Sequence, residues 1–163
     1  MNAILLILML AGDVAAATCP MHAQHTHATD VDHRGDKVMG FSHEKTKHTF
    51  RLLDDGGAIE VRANDGADAE SITAIRSHMR EIAKEFTAGT FAKPEEIHAR
   101  MPDGVDVIKE LGAKVTFAYE ELDGGARVRV KTEDARGREA VHAFLRFQIE
   151  DHRTGDAVIV DSE

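Results

Sequence analysis

Residues 18 to 33, TCPMHAQHTHATDVDH, gather the side chains of this chain best suited to chemistry: the thiol of Cys19, the thioether of Met21 and the imidazoles of His22, His25 and His27. Thiolate and thioether sulfur suit a soft ion such as Cu(I), while neutral imidazole suits Cu(II) or Zn(II). Short Cys/His-rich tracts are a compositional metal-binding signal. Cys19, Met21, His22, His25 and His27 are therefore the expected metal ligands, with copper or zinc as the expected ion. Asp30 and Asp32 could complete a harder site. The other reading of the tract is a polar spacer whose histidines hold nothing. With few core-forming residues to repay the entropy of ordering, residues 18 to 47 are expected to form a flexible His-rich tail and a connector, tacked down by Val38, Met39 and Phe41.

Four further histidines, His78, His98, His142 and His152, fall within the patterned part of the chain, and His43 and His48 lie in or beside the connector. An enzyme would need at least two of them to converge. His142 and His152 lie on one helical stretch about 80° apart around its axis, so a single ion is not easily shared by these two alone. Neither HExxH nor a Gly-rich phosphate loop nor a nucleophile elbow occurs, and no catalytic residue is assigned.

The elements that must position these groups come from a duplication. Phe50 and Leu52 alternate with polar neighbours, Asp54-Asp55-Gly56-Gly57 turns the chain, and Ile59 and Val61 alternate with Glu60 and Arg62. This is a hairpin with one buried face. The helical stretch 71 to 89 follows, with Ile72, Ile75, Met79, Ile82, Ala83 and Phe86 at helical spacing. The same order returns in Val115, Phe117 and Tyr119, the turn Asp123-Gly124-Gly125, then Ala126, Val128 and Val130, and a second helix over 138 to 156 that Gly155 should end. The copies are offset by roughly 66 to 69 positions, a stronger signal than any single propensity. Between them Pro94-Glu95-Glu96 opens a short helix and Pro102 closes it. The expected fold is α+β, a duplicated ββα repeat forming an antiparallel four-stranded sheet with both helices on one face. A TATA-binding-protein-like saddle is the nearest shape. In the aligned copies His142 stands against Arg76 and His152 against Phe86, so no symmetric histidine site is expected.

The chain has 163 residues, 42% of them hydrophobic and 5% aromatic, enough for one domain with an aliphatic core. Its formal charge of -9, from 29 acidic and 20 basic residues, works against nucleic acid or anionic lipid as partner. The apolar run of residues 3 to 10 is too short to span a bilayer, and small residues follow it at Ala15-Ala16-Ala17. The segment reads as a signal peptide over residues 1 to 17, with a buried first element as the other reading. The expectation is a periplasmic or secreted protein with a metal ion as partner and no stable membrane insertion after cleavage. The duplicated domain should occupy residues 48 to 156, with a C-terminal tail over 157 to 163. Cys19 is the one cysteine, so no intrachain disulfide forms, and an exported Cys19 would be a ligand, a lipidation site or half of an intermolecular bridge.

Two resemblances bear on function. Cys19-Pro20-Met21-His22 resembles the Cys-Pro-Met-His motif of bacterial heavy-metal-handling proteins, which implies metal handling by the tail, although the second cysteine cluster usual there is absent. The runs VMGFSHEKTKHTFR, Val38 to Arg51, and LRFQIEDHRTGD, Leu145 to Asp156, resemble a family of small exported bacterial proteins, from about Arg34 onward. That resemblance implies an exported compartment and a shared fold. Some members carry an aspartate carbamoyltransferase label, but true carbamoyltransferases are about twice as long and carry a Ser-Thr-Arg-Thr type loop missing here. Thr49 stands where relatives would place a second histidine beside His48. The expected function is an exported metal-binding protein using its Cys/Met/His tail; the alternatives are a binding module for an organic or protein ligand and, behind it, a His-dependent hydrolase or transferase.

Overall fold

The computed structural model describes residues 20–161, with side chains from Asp30 onward. The first helix, α1 (Pro20–Met39), precedes a hairpin of β1 (Thr46–Leu53) and β2 (Gly56–Ala63), and then α2 (Ala69–Thr87). Two short helices follow, α3 (Ala92–His98) and α4 (Val105–Leu111), before the second hairpin, β3 (Thr116–Leu122) and β4 (Gly125–Lys131), and the last helix, α5 (Ala135–His152). The four strands form one antiparallel sheet in the order β1-β2-β4-β3. The α+β fold is as expected: two ββα units pool their strands, with β2 and β4 joining them at the centre.

Alternation within each strand explains the packing. Phe50 and Leu52 of β1, Ile59 and Val61 of β2, and Val128 and Val130 of β4 are buried on the face that the helices cover. The opposite face carries charge in register. Glu60 pairs with Arg127, which pairs with Glu120, and the Arg127 guanidinium lies 2.6 Å from Glu120 and 3.5 Å from Glu60. Opposite charges across strands stabilise a sheet, each pair by a few tenths of a kcal/mol to about 1 kcal/mol. Arg129 is almost fully buried on that side by donating to the Gly57 carbonyl at 2.9 Å and to the Asp55 carboxylate.

Helix boundaries follow their caps. Asp68 accepts from the Ser71 amide at 3.0 Å at the start of α2, and Asp134 accepts from Arg136 and Gly137 at 3.0 and 3.1 Å at the start of α5. The stop of α5 differs from expectation. Arg153, with φ of 53°, takes the left-handed C-cap position, two residues before Gly155.

The tail and connector also differ. The described stretch is helical, and Val31, Gly35 and Met39 form a buried stripe at four-residue spacing. Val31 is fully buried, and Arg34 Nε donates to the Ile97 carbonyl at 2.6 Å. One strong hydrophobe per turn, with a glycine between, reads as polar in isolation. It becomes a helix face only because α3 and α5 lie beneath it. Met39 and Phe41 are buried, as the apolar cluster suggested.

Gly104, with φ of +81°, begins α4 against α5, and a Cβ there would lie 2.1 Å from the Ala140 carbonyl oxygen. Gly104→Ala is expected to cost at least about 2 kcal/mol, combining backbone strain with a clash against helix backbone. A urea midpoint lowered with unchanged slope would register it.

Candidate functional site

Both hairpin turns are held from above by the helix of the other repeat. Arg76 of α2 donates to the carbonyls of Gly125 and Leu122, each at 3.2 Å. His142 Nε2 of α5 lies 2.9 Å from the Leu53 carbonyl and 3.0 Å from that of Gly56, so it carries the proton and donates. Leu53–Gly56 and Leu122–Gly125 are the closing pairs of the two turns. Residues that differ in type at aligned positions therefore have the same role, a symmetry the sequence comparison did not anticipate. His142 is thus a fold residue. His142→Ala is expected to cost about 2–3 kcal/mol by leaving two carbonyls without a buried donor, visible as a lowered Tm that His142→Gln partly restores.

The remaining domain histidines converge. His48 on β1, His78 on α2, His98 at the end of α3 and His152 at the end of α5 line one small cleft of about 50 Å³. Its other walls are mainly apolar, among them Met39, Phe50, Met79, Ile97 and Phe144, with Lys93 and Gln148 as the further polar side chains. The His48 and His152 rings lie parallel with centres 5.5 Å apart, and His98 meets His152 edge to face at 4.9 Å.

The repeat shows what is unusual here. In one half Phe86, Phe117 and Phe144 pack as an aromatic cluster, with Phe86 centred 5.5 Å from Phe117 and 6.0 Å from Phe144. In the other half His48 takes the place of Phe117 by hairpin register, His152 that of Phe86, and His78 that of Phe144. His152 keeps the corresponding contact with His48, at 5.5 Å. The duplication thus builds a phenylalanine cluster in one half and a histidine cluster in the other, both facing the same cleft.

Among the described residues, no hydrogen bond is made by the ring nitrogens of His48, His78 or His152. Burial, joined by repulsion from His78, pushes His48 down to about 4. Burial pushes His78 to about 4 as well, with help from the Lys93 ammonium. His152 falls to about 3 through burial and the neighbouring His48 and His98. All three imidazoles are neutral at pH 7. His98 is also lowered by burial, against the pull of Asp151.

His98 is the oriented member. Its Nδ1 meets the Asp151 carboxylate, and its Nε2 lies 3.0 Å from Gln148 Oε1. Gln148 Nε2 is buried with no partner. A neutral imidazole donating from Nδ1 to Asp151 accepts at Nε2, which requires the Gln148 amide to be turned with its NH2 toward the ring. In either orientation one amide atom of Gln148 is left unpaired in the cleft wall.

A second, polar groove lies on the outer side of the His48–His152 pair, lined by Asp32, His43, Thr46, Lys47 and Thr154. His43 Nδ1 bonds Asp36 at 3.0 Å. Partial burial works against the charge of His43, but Asp36, Asp32 and Glu44 hold its pKa above the usual value.

The expected ligands Cys19, Met21, His22, His25 and His27 lie outside the residues whose side chains are described. Three of the four domain histidines, His78, His98 and His152, fall in one cleft with His48, and His142 stands apart. The signal for this in the chain is the alignment of the repeats, since histidine replaces phenylalanine at three positions of one copy. Among the described residues, no three His, Cys, Asp or Glu side chains converge on a common point as they stand. No described helix is long and apolar enough to cross a membrane. The class this architecture defines is a duplicated ββα domain with an imidazole-walled cleft. Comparisons with protein-family models, curated proteins and solved structures found no match.

Proposed function

We propose that the domain is a binding module and that its site is the histidine cleft. The observation that carries this reading is the substitution of His78 and His152 at the positions where the other repeat packs Phe144 and Phe86. Placing imidazoles against an apolar wall strips part of their hydration, a cost to stability that phenylalanine would not carry. A protein carrying that cost in one repeat and not in the other is adapted for something the cleft receives. Its mainly apolar wall with few convergent polar groups is the usual composition of a ligand site, and its small volume suits an ion or a small group. The enzyme reading is less well supported, because His98 Nε2 faces the Gln148 amide rather than a hydroxyl or thiol. Saturable binding of Zn(II) or of an apolar fluorescent probe by the intact protein, abolished in the variant with His78→Phe and His152→Phe, tests the reading. Binding of neither would end it.

A second reading concerns the tail, and the motif Cys19-Pro20-Met21-His22 favours it. In it the protein is exported to the periplasm or beyond, and Cys19, Met21, His22, His25 and His27 capture copper or zinc. Replacing these five residues together should remove one class of metal sites. Unchanged stoxichiometry of Cu(I) and Zn(II) uptake would sink this reading.

A further inference from the structure

We propose that His48, His98 and His152 form a metal-ion site of the copper–zinc class inside the cleft, with Asp151 as the residue that positions His98. The inference rests on the reading of the cleft as a binding site and names its ligand.

Ring spacing is the first argument. Metal–nitrogen bonds of about 2.0–2.1 Å set the centres of two imidazoles sharing a tetrahedral ion roughly 5 Å apart. The pairs His98–His152 and His48–His152 stand at 4.9 and 5.5 Å, with His152 in the middle. Packed aromatic rings occupy the same range, so spacing needs support from chemistry.

His98 supplies it. A histidine that binds metal through one nitrogen almost always gives its other N–H to a carboxylate, carbonyl or water, which sets tautomer and ring direction. The Nδ1 contact of His98 with Asp151 has that form, and it leaves Nε2 as the basic nitrogen in the cleft. The nearest group to that nitrogen is the amide of Gln148, 5% exposed and with one atom unpaired. An ion on Nε2 would displace or engage this amide, relieving a buried polar group that the protein alone does not satisfy.

The other two rings are held by ring packing and not by hydrogen bonds. His48 and His152 make no hydrogen bond that would resist rotation, so bringing their nitrogens onto the ion breaks none. They also form the wall between the cleft and the outer groove with Asp32 and His43. A cation can therefore reach them through the polar outer groove, where Asp32 is the carboxylate, while Met39 and Met79 line the apolar wall of the cleft. Imidazole with thioether nearby suits copper and zinc rather than magnesium or calcium, which take oxygen.

The test uses the full chain with Cys19→Ser, Met21→Leu, His22→Asn, His25→Asn and His27→Asn, so that the tail cannot contribute. Titration with Zn(II) and with Cu(I) should show one ion per chain, and X-ray absorption should report imidazole nitrogen as the first-shell donor. Asp151→Asn should weaken binding about 10- to 100-fold while the metal-free Tm stays near that of the parent. His152→Phe should remove it, and the thermal shift caused by added Zn(II) should vanish in that variant while its metal-free fold persists. If the tail variant binds no metal but still binds an apolar fluorophore that His152→Phe excludes, the metal inference falls and the binding module stands. If it binds neither, both fall. Bound metal whose affinity ignores Asp151→Asn and His152→Phe also overturns the site.

Discussion

Replacing His78 and His152 together by phenylalanine is expected to raise the unfolding temperature by about 5 °C, corresponding to a gain of about 1–2 kcal/mol in a domain of this size, while abolishing binding in the cleft. The direction follows from the other repeat. Phe144 and Phe86 already occupy the equivalent positions and pack at 6.0 Å between ring centres, so the backbone accepts the larger ring there. The change removes two partly desolvated imidazoles that make no hydrogen bond and fills part of the cleft with apolar surface. Calorimetry of the metal-free variant measures the first effect, and Zn(II) or fluorophore titration the second. A variant that loses stability would mean that the histidines support the fold rather than the site.

The second large effect is acid sensitivity. In the unfolded chain the imidazoles titrate near the ordinary value of 6.5, whereas burial pushes His48 and His78 in the fold down to about 4 and His152 to about 3. As pH falls from about 6.5 toward 4, the unfolded state takes up protons that the folded state refuses, so stability falls with pH. The stabilisation is fully present above pH 6.5 and is lost as the folded values are approached. One pKa unit corresponds to about 1.4 kcal/mol, so each group contributes on the order of 3–5 kcal/mol. Three such groups together rival the whole stability of a typical domain. The chelator-treated protein should therefore unfold cooperatively between about pH 5 and 4. His43 acts with opposite sign, its raised pKa stabilising below pH 6.5, but it is too exposed to offset the loss. Urea midpoints at pH 7, 6, 5 and 4 measure the trend, and the double phenylalanine variant should shift it to lower pH. A midpoint independent of pH over that range would contradict the neutral, buried state of these rings.

The two predictions are connected, because the same desolvated imidazoles cost stability at neutral pH and concentrate that cost on acidification. On the proposed reading of the cleft as a binding site, function is what retains them in one repeat.

What the sequence determined by itself was local and repeated. Alternation in Phe50–Leu52 and Val128–Val130, the glycine turns at Gly56 and Gly124, and the helical spacing of Ile75, Met79 and Ile82 rest on backbone periodicities that act within a few residues. They sufficed for four strands, the two long helices and the duplication, and hence for one antiparallel sheet covered on one face. The helix over Val31, Gly35 and Met39 was not legible, because its face has meaning only against α3 and α5. The cleft belongs wholly to the tertiary structure. His48, His78, His98 and His152 come from four separate elements, and no spacing rule links positions brought together by strand order and helix packing. Their neutrality is likewise a property of burial, which removes water from rings that would otherwise titrate near 6.5. The alignment of His152 with Phe86 was visible in the chain, but only the shared cleft shows that phenylalanine and histidine face one another there.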